Sequence, residues 1–145
     1  MYRGSGILFV EGISAPDCRL FLVCRKRSKI WSIPGGGWSS RDASAWDTAV
    51  RETDEELGIT ANEQRIAFSQ CYPFGIAGFD WKTFVVVQND FDDGTRGRDY
   101  HREFCGSQWF PLNRLPVRTH LLLYPILVRL QVARLTRRLR SPGRR

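Results

Sequence analysis

Residues 37–59 read GWSSRDASAWDTAVRETDEELGI, and the end of that stretch, Arg51-Glu52-Thr53-Asp54-Glu55-Glu56-Leu57-Gly58-Ile59, decides how the rest of the chain is read. Taken as a helix, it sets Trp46, Ala49, Val50, Thr53 and Leu57 on one stripe at i, i+3, i+4, i+7 and i+11, a face suited to burial. Glu52, Glu55 and Glu56 fall at i, i+3 and i+4, so their carboxylates share a neighbouring face. Asp54, Glu55 and Glu56 also crowd the last turn, where the helix dipole is already negative. Each such charge costs about 0.3–1 kcal/mol at an exposed site. Gly58 is placed to end the helix in the left-handed conformation. So concentrated a breach of local rules is either an acidic solvated face or a site, and a divalent cation is the simplest group that neutralises it.

Outward from the helix, Pro34-Gly35-Gly36-Gly37 leads in, and the whole closely resembles the Nudix box. That pattern is a Gly, five residues, Glu, seven residues, Arg-Glu, an apolar residue, any residue, Glu-Glu, any residue, Gly and an apolar residue. Gly37, Arg51, Glu52, Glu55, Glu56, Gly58 and Ile59 match in register. Thr53 replaces an aliphatic residue, and Ala43 stands where the first Glu belongs. The family partner of Arg51 is that Glu, and the pair ties the preceding loop to the helix. The lead-in holds one Gly more than usual, so a one-residue bulge brings Gly36 and Asp42 into the places of the family's Gly and Glu, with Asp42 reaching Arg51. Asp42 also sits where a helix N-cap is expected.

The resemblance extends to about residue 127: Phe79-Asp80-Trp81-Lys82-Thr83-Phe84, then Glu103, Trp109, Leu115-Pro116 and His120 are similar to the second half of many bacterial Nudix hydrolases. There the Glu faces the box, which makes Glu103 a candidate metal ligand or base beside the alternative of an ordinary surface Glu. Ser69-Gln70-Cys71-Tyr72-Pro73-Phe74 more weakly resembles a segment of NADH pyrophosphatases, although Tyr72 and Phe74 also read as core or strand-edge aromatics. What the resemblance implies is an α/β/α sandwich, a mixed sheet between helices. It also implies Mg²⁺, with Mn²⁺ as a substitute, held by Glu52, Glu55, Glu56 and the backbone of Gly36. Glu55 or Glu103 would take a proton from water, with Arg51 in support.

The chain itself supports that outline. Ser5–Glu11, Arg19–Arg25, Arg65–Tyr72, Phe79–Gln88 and Phe104–Phe110 read as strands, and a helical region follows Pro116. Gly75-Ile76-Ala77-Gly78 reads as a hairpin, and the polar stretch Asn89–His101 as a flap over a site. Arg25 and Arg27 lie in a basic cluster that is either a solvated loop or a phosphate-steering surface, and Trp38, Phe74 and Trp81 are candidates for stacking on a base.

The 145 residues fit one domain, expected over 1–128 with a basic tail at 129–145. The net charge of +7 is a property of that end: from Arg114 onward there are nine Arg and no acid, while residues 1–113 carry 13 Lys and Arg against 15 Asp and Glu. Four cysteines without a C-x-x-C pair argue against a zinc site or disulfide framework and for a reducing, cytoplasmic setting. No apolar run approaches the ~20 residues of a membrane span. Val128, Val132, Leu135 and Leu139 form a narrow apolar stripe among arginines, read as a helix end packed on its own domain or as an RNA-binding arm.

The expected activity is Mg²⁺-dependent hydrolysis of a phosphoanhydride in a nucleoside diphosphate linked to another group, by a monomer or homodimer. The alternative is a Nudix-like nucleotide- or RNA-binding module whose turnover went with the Glu missing at Ala43.

Overall fold

The computed structural model describes residues 2–72 and 78–140. In chain order the elements are β1 (Tyr2–Glu11), β2 (Arg19–Arg25), β3 (Trp31–Ser32), β4 (Gly35–Gly37), α1 (Ala45–Leu57), β5 (Ile66–Tyr72), β6 (Phe79–Val87), α2 (Tyr100–Glu103), β7 (Phe104–Pro111) and α3 (Tyr124–Arg140). β1 is the hub of a seven-stranded mixed sheet. It runs parallel to β6 from Tyr2↔Phe79 to Val10↔Val87. Its other edge is shared, antiparallel, between β4 opposite residues 4–6 and β2 opposite residues 9–11. β2 carries β3 and β7, and β6 carries β5. The parallel pairing of β1 with β6 requires a long crossover, and α1 lies within it.

The strands are apolar on both faces because both faces are covered. Leu8 and Val10 of β1 join Leu20, Leu22 and Val85 beneath Leu123, just before α3, and Ile126, Leu127 and Leu130 in its first turns. Their alternating neighbours Ile7 and Phe9 join Phe21, Val23, Phe84 and Val86 against Ala49 and Leu57 of α1, with Tyr100 and Phe104 alongside. The expected α/β/α sandwich is the observed architecture. Full burial of each Phe, Leu or Ile contributes about 1.5–3 kcal/mol, so one layer anchors α3 and the other anchors α1 against β1.

Element ends differ from expectation in small ways with physical causes. β1 starts at Tyr2 rather than Ser5, since β6 supplies pairing partners down to Phe79. α1 is capped by Ser44, whose hydroxyl accepts from the Asp47 amide at 3.1 Å, so Asp42 is not the N-cap. Gly58 ends the helix at φ 67°, donating its amide to the Asp54 carbonyl at 2.8 Å. Residues 75–77 of the expected hairpin lie outside the described residues.

The expected flap is instead docked: Gly97 and Asp99 donate their amides to the Glu56 and Glu55 carbonyls at 3.1 and 2.9 Å, filling acceptors that a helix end leaves open. α3 continues without a break across residue 128 and packs through Ile126, Leu127, Leu130 and Arg134. Its Val128, Val132 and Leu135 face solvent instead, half or more exposed. No helix among the described residues is long and apolar enough to cross a membrane.

Candidate active site

The last two turns of α1 lie against the glycine strand β4, and that contact makes the site. Glu56 is 4% exposed, with its Oε2 accepting from the Gly35 amide at 3.0 Å and its Oε1 3.6 Å from the Arg25 guanidinium. Gly35 has φ +156°, and a Cβ there would lie 2.5 Å from the Ser5 carbonyl oxygen; only glycine lets the strand press so close to β1 and still present its N–H to Glu56. A Cβ on Gly36 would fall 2.5 Å from the Glu52 carboxyl, so the second glycine leaves room for that carboxylate. Burial pushes the Glu56 carboxyl up to about 8, against the opposing pull of Arg25 and the Gly35 amide. Burial also raises Glu52, with Arg51 opposing.

Arg51 ties the helix to the preceding loop. Its Nε and Nη2 donate to the two oxygens of Asp42 at 3.0 and 2.9 Å, a bidentate pair. Its Nη1 reaches Glu52 at 2.8 Å and Glu55 at 3.4 Å, and Nη2 also donates to the Gly37 carbonyl at 2.9 Å. Asp42 accepts further bonds from the Ser39 amide at 2.9 Å and the Thr48 hydroxyl at 3.0 Å. The Arg51 guanidinium holds its carboxyl well below the usual carboxylate range. Ala43 is exposed. The contact that the box assigns to the first Glu is therefore made by Asp42.

Glu55 also pairs with Arg98 of the docked loop at 2.8 Å. Glu103, at the end of α2, comes within 3.9 Å of Arg25, which thus stands between Glu56 and Glu103. A register shift between β2 and β7 at Cys24/Arg25 re-aims Arg25 to this position.

Two cavities meet at Arg25. Arg25 and Trp81 line one of about 360 Å³ together with Tyr2, Phe79, His120 and Leu122. Arg25 lines the other as well, a cleft of about 510 Å³, with Lys26, Arg27, Ser28, Arg102 and Glu103. Trp38 is in neither: it is 47% exposed under Arg3 and borders a different hollow with Ala43, Ser44 and Lys82. Phe74 lies outside the described residues. Tyr2, Arg98 and Arg102 join the site without a sequence motif to mark them. Tyr2 gains its place through the parallel register with Phe79, on which its ring stacks at 5.7 Å, and no local pattern carries that information.

Among the described residues, no three His, Cys, Asp or Glu side chains are grouped so as to hold an ion as they stand. The acids are turned to Arg25, Arg51 and Arg98. Their chemistry nonetheless suits a hard cation: the donors are all oxygens, and Glu56 is a carboxylate buried at a cost that one arginine at 3.6 Å does not remove.

The comparisons agree with the fold. The NUDIX domain model matches residues 6–130. Among solved structures, the chain is similar to a C. elegans Ap4A hydrolase binary complex, with 19% identity over 92% of this chain and 98% of that one and a TM-score of 0.68. It is also similar to the M. Smegmatis Nudix hydrolase RenU, with 18% identity over 93% and 86% of the two chains and a TM-score of 0.66. A third is the NUDIX domain of Shewanella oneidensis NrtR complexed with ADP ribose, with 16% identity over 91% and 86% and a TM-score of 0.59. Among curated proteins none matches. With the family model spanning the sheet, α1 and the start of α3, the chain belongs to the Nudix family of phosphoanhydride hydrolases.

Proposed function

We propose that the protein is a Mg²⁺-dependent pyrophosphohydrolase that cleaves a phosphoanhydride of a nucleoside diphosphate linked to another group. The observation that carries this is the buried Glu56, held with Glu52 against the glycine strand beside Arg25 and an aromatic cavity. Glu52, Glu55 and Glu56, with the backbone of Gly36, would hold Mg²⁺ or Mn²⁺, which when bound neutralises the phosphates and acidifies an attacking water.

The chain's own groups supply the rest. Arg25 and Arg27 bind phosphate oxygens, for which a guanidinium fork is well shaped. Trp81, with Tyr2 and Phe79, offers aromatic surface to the nucleobase, while Trp38 is a candidate for a contact outside that cavity and Phe74 remains a stacking candidate from the sequence. Glu55 or Glu103 accepts the proton of the attacking water, and Arg51 positions Glu52 and Glu55 through its bonds to both. Four free cysteines accord with a reducing compartment such as the cytoplasm.

The test is phosphate or nucleotide release from a panel of dinucleotides, sugar nucleotides, triphosphates and capped RNA, with Mg²⁺ or Mn²⁺ and with chelator. Hydrolysis that needs the cation and falls at least a hundredfold in Glu56→Gln is expected. Tight nucleotide binding without turnover across the whole panel would instead establish a binding module.

A further inference from the structure

The two cavities differ in chemistry, and Arg25, which pairs with Glu56 and Glu103, lines both. The 360 Å³ cavity is walled by Tyr2, Phe79, Trp81, Leu122 and Leu123, surfaces that stack on or pack against a base. It abuts the acids: Tyr2 feels the charges of Glu52 and Glu56, and Arg25 is shared with the second cleft. That cleft carries four cations, Arg25, Lys26, Arg27 and Arg102, against one carboxylate, Glu103. Arg25 spends part of its charge on Glu56 and Glu103, and Arg102 part of its own on Asp99 and Glu103. Lys26 donates to the neutral His101 carbonyl at 2.8 Å and keeps its charge available.

Another route away from the acids is the hollow beside Gly58 and Gly97, but there Arg51 and Arg98 are balanced by Asp54 and Glu55. A neutral leaving group gains nothing from a wall of cations, whereas each phosphate laid along them gains charge-assisted bonds. The field also favours capture of the anionic end of a substrate.

Resting on the hydrolase reading above, we propose that the substrate's distal group is itself anionic. The enzyme would take a nucleoside polyphosphate, or a dinucleoside polyphosphate, with the base in the aromatic cavity and the far phosphates along Lys26, Arg27 and Arg102. Cleavage adds one water across a P–O–P bridge: the water oxygen bonds phosphorus, the bridging oxygen leaves with the distal phosphates, and the water's protons are shared between the two products and solvent.

The experiment compares kcat/KM for a nucleoside tetraphosphate with that for a nucleoside diphosphate sugar of the same base, in the intact protein and in Lys26→Gln/Arg102→Gln. At least a tenfold preference for the tetraphosphate is expected, carried by KM and reduced at least fivefold in the double variant. Equal use of both substrates by the intact protein, or an undiminished preference in the variant, would overturn the proposal. If no nucleotide is hydrolysed, the hydrolase reading fails by itself, and calorimetry with inorganic tripolyphosphate decides the cleft. Binding weakened at least fivefold by the two substitutions upholds an anion subsite; absent or unchanged binding removes it.

Discussion

Glu56 shows at the scale of one residue how a site is stored in a fold. An ordinary carboxyl titrates near 4.5, and burial moves this one up to about 8. Between those values the folded protein keeps the proton that the unfolded chain has lost, so the folded state binds more protons and stability falls as pH rises. The contribution is fully present below the unfolded value and is lost as pH passes through the folded one, at a rate of at most about 1.4 kcal/mol per unit. Melting of the cation-free protein is therefore expected to drop from pH 5 to pH 8, and Glu56→Gln is expected to flatten that slope while abolishing turnover. Added Mg²⁺ should raise the melting temperature more at pH 8 than at pH 5.

Asp42 is the opposite case, a carboxylate stabilised in its charged form. Asp42→Asn removes a bidentate bond to Arg51 and leaves that guanidinium short of charge. A loss of about 1.5–3 kcal/mol in denaturant unfolding is expected for hydrogen bonds to charged groups, together with reduced turnover. Because Ala43 is exposed, Ala43→Glu is not expected to restore either.

At the scale of elements, most of α1 was legible from its residues. The stripe through Ala49, Thr53 and Leu57 is buried, Gly58 terminates the helix, and Glu52 and Glu55 meet at Arg51, whereas Glu56 turns to the Gly35 amide and Arg25. What periodicity did not convey is that Glu56 sits within the buried set, because burial there depends on β4, a strand of three glycines with no side-chain pattern to read. The docked loop was illegible for a similar reason. Its polar composition speaks of solvent, whereas its attachment uses backbone amides, which every sequence possesses. Gly97 is the one residue that betrays it: a Cβ there would lie 2.3 Å from the Glu55 carbonyl oxygen and 2.6 Å from that of Asp54. Gly97→Ala is expected to lift the loop from the end of α1, costing about 1–3 kcal/mol as backbone is forced to shift. It should also part Arg98 from Glu55, and amide exchange at Gly97 and Asp99 should rise in the variant.

The whole molecule divides its charge from its chemistry. The sheet, α1 and the first turns of α3 form the packed body, and the chain then carries arginines past Leu130 and Arg134, the last buried side chains among the described residues. Arg134 belongs to the body, since it is 7% exposed and donates to the Ala15 carbonyl at 2.6 Å. Leu135, Thr136 and Arg137 are exposed. Ending the chain after Arg134 removes five arginines and, among the described residues, no buried side chain of α3, so the melting temperature and small-nucleotide turnover are expected to stay near those of the full chain, turnover within a few-fold. RNA affinity, by contrast, should weaken through lost phosphate contacts, each reducing the slope of log K against log salt by about 0.7 on a single strand. Filter binding across a salt series, run beside a turnover assay on both chains, reads the two quantities separately. A truncated protein that folds but no longer turns over nucleotides would make the end of α3 part of the site. One that keeps both its RNA affinity and its salt slope would confine any nucleic-acid contact to the body, where the cleft around Arg25, Lys26 and Arg27 is the basic surface adjoining the acids.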